Sequence, residues 1–339
     1  MSQIIKYMET LIFDILYIIL KILPEKDKIH FLSITKKFDS IKGRITFDDE
    51  TYLNNILGLL YFDNFTNILC DQNKDCLPLG ITHLTFSHTF NLGVRNFIPS
   101  SVTHLTFGAR FNRTIRKSIP FGVTHLTFGS NFDQHIQTNC IPSSVTHLTF
   151  GEYFDKNIQD SIPPSVTHLT IHYHGNYLIR NYIPLSVTHL TFGSINDYIG
   201  ESIPASVIYL TINKFYQKEF IQNYIPPNVT HLTFNCINDY IEKCIPVTIK
   251  HLTMNYFKAG YIYARIPSTV THLTFECISF HIQGCIPSGV THLTINRIYY
   301  YPDIRDCIPS TVTHLIIKQI LDEDVRNYIP STVTHLTIT

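Results

Sequence analysis

The sequence contains no tryptophan, although phenylalanine and tyrosine are plentiful at 23 and 20 residues. It also lacks charge of either sign to spare. Lys and Arg number 26, Asp and Glu number 26, and the formal net charge is zero. Nucleic acids and anionic membranes are held by a clustered positive field, and no basic stripe stands out, so neither is an expected partner. The eight cysteines include no C-x-x-C pair and no zinc-type spacing. Long apolar runs are missing too. In the most apolar segment, residues 8–23, the charge-free stretch is only Ile15 to Leu20, between Asp14 and Lys21, well short of the roughly 20 residues of a membrane span. The segment does not end in the small-residue cleavage site of a signal peptide, so a cytoplasmic location is expected. No nucleophile with a base, phosphate loop or metal cluster recurs, which points away from an enzyme and from any cofactor.

What is present is repetition. The stretch Ile-Pro-x-x-Val-Thr-His-Leu-Thr-Phe is first complete from Ile98 to Phe107 and occurs thirteen times, counting the opening Leu77-Pro78 version. Its His slot holds His83, His104, His125, His147, His168, His189, Tyr209, His231, His251, His272, His292, His314 and His335, at spacings of 20 to 22 residues. In each copy the proline precedes that slot by five residues. All length variation therefore falls between the Phe and the next Ile-Pro. A rigid motif with insertions confined to one sector is the mark of a stacked solenoid.

Within each unit, Thr103 to Phe107 alternates and is β-branched, as a half-buried strand should be. Pro99, which cannot donate to a ladder, marks the corner ahead of it. About eleven residues join one strand to the next corner, too few for a regular helical crossover, so turns, short extended pieces or 3₁₀ segments are expected there. Alternation sends Leu105 and Phe107 into the core and His104 and Thr106 outward. At about 4.8 Å per strand, thirteen strands make a sheet roughly 58 Å from first to last. Its face then carries a column of imidazoles beside a column of threonines, through His104, Thr106, His125, Thr127, His147, Thr149, His168, His189, His231 and His272. Tyr209 interrupts the first column and Ile316 the second.

The column admits three readings. Imidazole pairs across strands could hold zinc or nickel, but a uniform ladder defines no bounded site with orienting carboxylates. General base catalysis lacks a Ser, Cys or Asp beside one distinguished His. The structural reading is a stack of neutral rings passing N–H to N hydrogen bonds along the column, with threonine hydroxyls sharing. Five cysteines (Cys76, Cys140, Cys244, Cys285, Cys307) stand just before the Ile-Pro or Leu-Pro. Neighbouring rungs would bring Cys285 and Cys307 within disulfide reach; the alternative is a small, partly buried side chain at the corner.

The apolar series Val102, Leu105, Phe107 resembles the L-x-x-L-x-L of leucine-rich repeats. Phe-Asn or Phe-Asp, as in Phe111-Asn112 and Phe132-Asp133, followed by Ile-Pro and Ser-Val-Thr-His-Leu-Thr-Phe-Gly, is similar to the FNIP repeat family over residues 77–339. Later units drift from that pattern, with Ile195-Asn196 and Ile237-Asn238 for Phe-Asn and Lys250 for a Thr. The resemblance implies a mainly β, leucine-rich-repeat-like solenoid of about thirteen parallel rungs. It also implies proteins of amoebae or of the large DNA viruses that infect them.

Ahead of the repeats, residues 8–23 read as a buried helix stopped by Leu23-Pro24. Asp27 suits an N-cap for a second helix carrying Ile29, Leu32, Ile34 and Phe38. The stretch from Leu23 to Phe38 resembles the middle of an F-box, although the Leu-Pro that usually precedes the first F-box helix is missing. The expected organisation is an F-box-like helical module over 1–50, a degenerate capping rung over 51–76, and the solenoid over 77–339. In 51–76, Tyr52 to Tyr61 reads as a short helix and Phe65 to Leu69 as a strand. By resemblance, the module implies docking to the Skp-type adaptor of a cullin–RING ubiquitin ligase through Leu23, Pro24, Ile29 and Leu32. The repeats would hold a target protein on their concave face. The rival is an interaction scaffold whose N-terminal helices only cap the solenoid. At the other end, the strand His335–Ile338 has no covering segment in this sequence, so its edge invites end-to-end self-association. A strict monomer at high micromolar concentration in light scattering would rule that out.

Overall fold

The computed structural model describes residues 15, 18–24, 27, 28 and 31 of the N-terminal segment, then 46–72 and 76–173. Beyond these it describes the corner and strand of each repeat, at 182–195, 203–214, 225–235, 245–255, 266–278, 284–297, 307–318 and 329–339. One parallel sheet of 15 strands runs through the chain in sequence order. Two strands, β1 (Thr51–Tyr52) and β2 (Asn67–Cys70), precede the regular series. The series comprises β3 (His83–Phe86), β4 (His104–Thr106), β5 (His125–Thr127), β6 (His147–Thr149), β7 (His168–Tyr173), β8 (His189–Ile195) and β9 (Tyr209–Ile212). It continues through β10 (His231–Phe234), β11 (His251–Met254), β12 (His272–Phe275), β13 (His292–Ile295), β14 (His314–Ile317) and β15 (His335–Ile338). Pairing is like on like, with His104 opposite His125 and Leu105 opposite Leu126. The thirteen expected rungs are therefore thirteen in-register strands.

Each part of the motif has a backbone reason. Pro99 opens a turn in which Val102 N–H donates to its carbonyl at 3.2 Å, and the same bond recurs from Val123 to Pro120 and from Val145 to Pro142. The serine or threonine ahead of the valine caps the previous corner: Ser144 Oγ donates to the Val123 carbonyl at 2.7 Å, and Ser165 Oγ to that of Val145 at 2.7 Å. The Asn or Asp after the variable-sector Phe builds another ladder. Asn91 Oδ1 accepts the Asn112 N–H at 3.0 Å, Asn112 Oδ1 that of Asp133 at 3.1 Å, and Asp133 Oδ1 that of Asp155 at 2.9 Å. Loop N–H groups that lie outside the sheet thereby find partners from rung to rung. The described variable sectors of these first rungs contain turns and irregular backbone, with no helix.

The core is a set of columns. Val123, Leu126 and Phe128 are at most 2% exposed, each contributing about 1.5–3 kcal/mol relative to an exposed side chain. Phe86, Phe107, Phe128 and Phe150 stack at centroid distances of 5.2, 5.6 and 5.7 Å. Within a rung, Phe107 and Phe128 each meet the variable-sector ring, Phe111 and Phe132, at 4.0 Å. No single unit shelters these rings; its neighbours do.

The glycine closing the motif is needed for close approach. A Cβ on Gly129 would lie 2.1 Å from the Gly108 carbonyl oxygen, and one on Gly151 2.0 Å from that of Gly129. Gly129→Ala is expected to lose at least the roughly 1–3 kcal/mol typical of overpacking. An unchanged urea midpoint for this variant would contradict the packing of that corner.

Two expectations for the first fifty residues or so need correction. The apolar N-terminal run is not buried all round: Leu20 is 3% exposed, but Ile15, Ile18 and Ile22 are 51%, 59% and 78% exposed. Leu20 joins the solenoid core, and one surface can cover only one helical face. The predicted helix over Tyr52–Tyr61 is shorter, α1 (Leu53–Ile56), because Thr51 and Tyr52 pair with Ile68 and Leu69 as β1. Gly58, at φ 81°, lies just beyond its end. No helix among the described residues is long and apolar enough to cross a membrane.

Candidate functional site

The strand face carries the repeated polar pair. Thr106, Thr127 and Thr149 and their His neighbours are half-buried on the side opposite Leu105, Leu126 and Leu148, which are 1% exposed. The imidazoles do not pass hydrogen bonds along the column, which corrects the expectation from sequence. They stack face to face, His104 on His125 at 4.1 Å and 14°, His168 on His189 at 4.0 Å and 17°. Ring N–H groups lie in the ring plane, so stacked rings cannot point them at each other. Tyr209 continues the stack at 4.2 Å from both His189 and His231. The column therefore needs a flat ring at each step, not an imidazole at each step.

The hydroxyl partner is the threonine immediately before the histidine, not the one two residues after it; at His251 that place is taken by Lys250. Thr103 Oγ1 lies 2.9 Å from His104 Nδ1, and Thr124, Thr146, Thr167 and Thr188 repeat that contact at 2.9 Å. Thr103 Oγ1 also donates to the Thr82 carbonyl at 3.2 Å, which accepts the Thr103 and His104 N–H groups as well, at 2.8 and 3.0 Å. The column thus presents a row of parallel imidazole edges. Parallel rings aim their Nε2 atoms the same way, so two neighbours do not converge on one metal ion. No cluster of three or more His, Cys, Asp or Glu suited to a metal occurs among the described residues.

Burial lowers the pKa of His104, His125, His189, His231, His251, His272, His292 and His314, and neighbouring imidazoles lower each of them further. For His168 the same two causes push it down to about 4. Two imidazolium charges about 4 Å apart would repel by about 1 kcal/mol in water and about 4 kcal/mol at an effective dielectric of 20. These nine histidines are therefore held toward the neutral form at pH 7.

Of the residues expected to meet an adaptor, Leu23 is half-buried and Pro24 exposed, while Ile29 and Leu32 lie outside the described residues. Cys140, Cys285 and Cys307 are buried thiols at the repeat corner, and burial raises the Cys285 pKa. At β15, Leu336 is 45% exposed whereas Leu315 in the rung before it is fully covered. A second feature escaped the sequence reading. An open cavity of about 680 Å³ in the variable sector brings together Arg95, Arg113, Arg116, Lys117 and His135. Zero net charge hid it, but a signal exists: between Asp75 and Asp133 the sequence has no Asp or Glu.

Comparison with protein-family models matches the FNIP Repeat at residues 73–110, 111–153, 154–194, 197–236 and 281–319. These segments begin after the F-box-like stretch and skip 237–280, where Lys250 and Ile237-Asn238 depart from the motif, although β11 and β12 still pair in register there. Comparison with curated proteins gives no match. Among solved structures the chain is similar to CroV588, described as a novel circular LRR protein structure, with 28% identity and a TM-score of 0.54 over 85% of this chain. The match takes in 48% of CroV588, so this chain spans about half the length of that protein. With five matched segments covering more than half of its residues, the chain belongs to the FNIP repeat family and has a leucine-rich-repeat-like solenoid fold.

Proposed function

We propose that the chain is a non-catalytic protein-interaction subunit: its strand face holds a target protein, and its N-terminal segment docks to the Skp-type adaptor of a cytoplasmic cullin–RING ubiquitin ligase. One observation carries the first half. Of the thirteen strands in register, all but those of Tyr209 and Ile316 turn the same His and Thr pair outward, giving a continuous surface of imidazole edges and hydroxyls suited to a partner's polar groups. The adaptor half rests on the F-box-like sequence from Leu23 to Phe38. It is supported by the exposed stripe Ile15, Ile18 and Ile22, an apolar helical face of the kind that packs into a partner's groove. The rival, a scaffold with no ligase connection, keeps the strand face and drops the adaptor.

Co-purification of the full chain with a purified Skp-type adaptor separates the two. A stoichiometric complex is expected, and it should be lost on replacing Leu23 and Pro24 by alanine or on Ile22→Asp, with the melting temperature unchanged. No complex with a folded chain sinks the ligase reading and leaves the scaffold. Paired Thr127→Arg and Thr149→Arg substitutions should abolish target capture with the chain still folded, as read by its melting temperature. Undiminished capture by that variant would move the binding surface off the strands.

A further inference from the structure

We propose that the cavity at Arg95, Arg113, Arg116 and Lys117 is a binding site for a compact polyphosphate, a ligand carrying two or more phosphate groups close together. These residues stand in the variable sectors before Ile98 and Ile119, with His135 added from the sector before Ile141. Stacking at about 4.8 Å per rung gathers them from three successive units. The lining holds no carboxylate, and among the described residues none of the four cations is in an ion pair. Arg113 is held in place, since its Nε donates to the Asn91 carbonyl at 3.0 Å; its terminal nitrogens remain for a ligand. Guanidinium forks suit phosphate oxygens two at a time.

Lys117 supplies a second, independent observation. It occupies the left-handed region at φ 55°, and the equivalent positions in neighbouring rungs are Asn96 at 59°, Asn139 at 64° and Asp160 at 56°. Asn and Asp tolerate that conformation better than other residues with a side chain. A lysine there is disfavoured by the backbone, and the cavity it lines accounts for its charge.

The extent of the field points to a small ligand. Carboxylates return at Asp133, which the Lys156 ammonium and the Asp155 N–H already engage, and at Asp155 and Asp160 beyond it. The positive region therefore spans three rungs, too short a track for a polynucleotide backbone. A cavity of about 680 Å³ lies within the usual range of small-molecule sites. This site is separate from the His and Thr face and does not depend on the function proposed for it.

Isothermal titration calorimetry of the full chain with inorganic tripolyphosphate tests the site. Micromolar binding is expected, with orthophosphate binding much more weakly. Arg95→Ala combined with Arg116→Ala should weaken tripolyphosphate about tenfold or more, the usual effect of removing a charge-assisted hydrogen bond. Lys117→Asn should also weaken it while keeping or raising the melting temperature, because asparagine suits the turn. That pairing separates lost binding from lost folding. Adenosine triphosphate and inositol hexakisphosphate arms then distinguish a nucleotide source from an inositol one, and binding by either supports the site. No tripolyphosphate binding, equal binding by all variants, or tighter binding of a single-stranded RNA dodecamer would overturn it.

Discussion

Lowering the pH from 7.5 to 5 is expected to reduce the melting temperature by about 5 °C or more, a loss of a few kcal/mol for a chain of this size. The sign follows from the histidine column. In the unfolded chain each imidazole takes up a proton near pH 6.5. In the fold, burial first and neighbouring imidazoles second hold the pKa values down, to about 4 at His168. Below about pH 6.5 the unfolded state therefore binds more protons than the native one, and stability falls with pH until the folded histidines titrate in turn. The contribution of the lowered histidines is full above pH 6.5 and is lost progressively below it, down to about pH 4 in the case of His168. Because nine histidines have lowered values, the transition should couple to uptake of several protons. Tyr209 supplies the control, since a phenol ring continues the stack without titrating in this range. Replacing His125 and His168 by tyrosine should flatten the pH slope while leaving the rungs folded at pH 7.5. A melting temperature constant between pH 7.5 and 5 in the parent chain would reject the column as a source of acid sensitivity.

Phe128→Ala is expected to be the most damaging single truncation in the first half of the solenoid, at about 3–5 kcal/mol. Phe128 is 2% exposed and stacks on Phe107, Phe132 and Phe150 at 5.6, 4.0 and 5.7 Å. Truncation leaves a hole shared by three rungs, which the rigid parallel strands on either side cannot close. Solenoid stability is a sum over units and nearest-neighbour interfaces, so the damage should be local. Hydrogen exchange should accelerate first at β4 to β6 while β12 to β14 keep their protection. Uniform loss of protection across the chain would mean that the rungs unfold as one unit instead.

Much of this was legible in the sequence because a period is a statement about space. Thirteen copies of one motif at spacings of 20 to 22 residues, eleven of them reading His-Leu-Thr, have one economical arrangement, and alternation already sorts Leu105 inward and His104 outward. The Phe-Asn and Ser-Val pairs were legible as motif but not as mechanism. That Asn112 accepts the N–H of Asp133, or that Ser144 caps the Val123 carbonyl, emerges only when adjacent rungs are superposed. The imidazole column was misjudged in one respect: sequence shows that the rings are neighbours but not which way they face. The contact from the preceding threonine to Nδ1 accompanies the parallel planes at most steps, but His251 stacks equally well behind Lys250, so in-register pairing at the strand spacing is what sets the rings face to face.

The sequence by itself determined the repeat, the strand within it, the inward and outward residues, and membership of a stacked architecture, because each follows from local periodicity. The tertiary structure alone decided what lies beside what across twenty residues of chain. Among the described residues of the N-terminal helix, it turned Ile15, Ile18 and Ile22 outward and packed Leu20 against the core. It also assembled Arg95, Arg113, Arg116 and Lys117 into one positive cavity within a chain of zero net charge. Composition sums charge over the whole molecule, whereas electrostatic attraction falls with distance, and distance is what stacking sets.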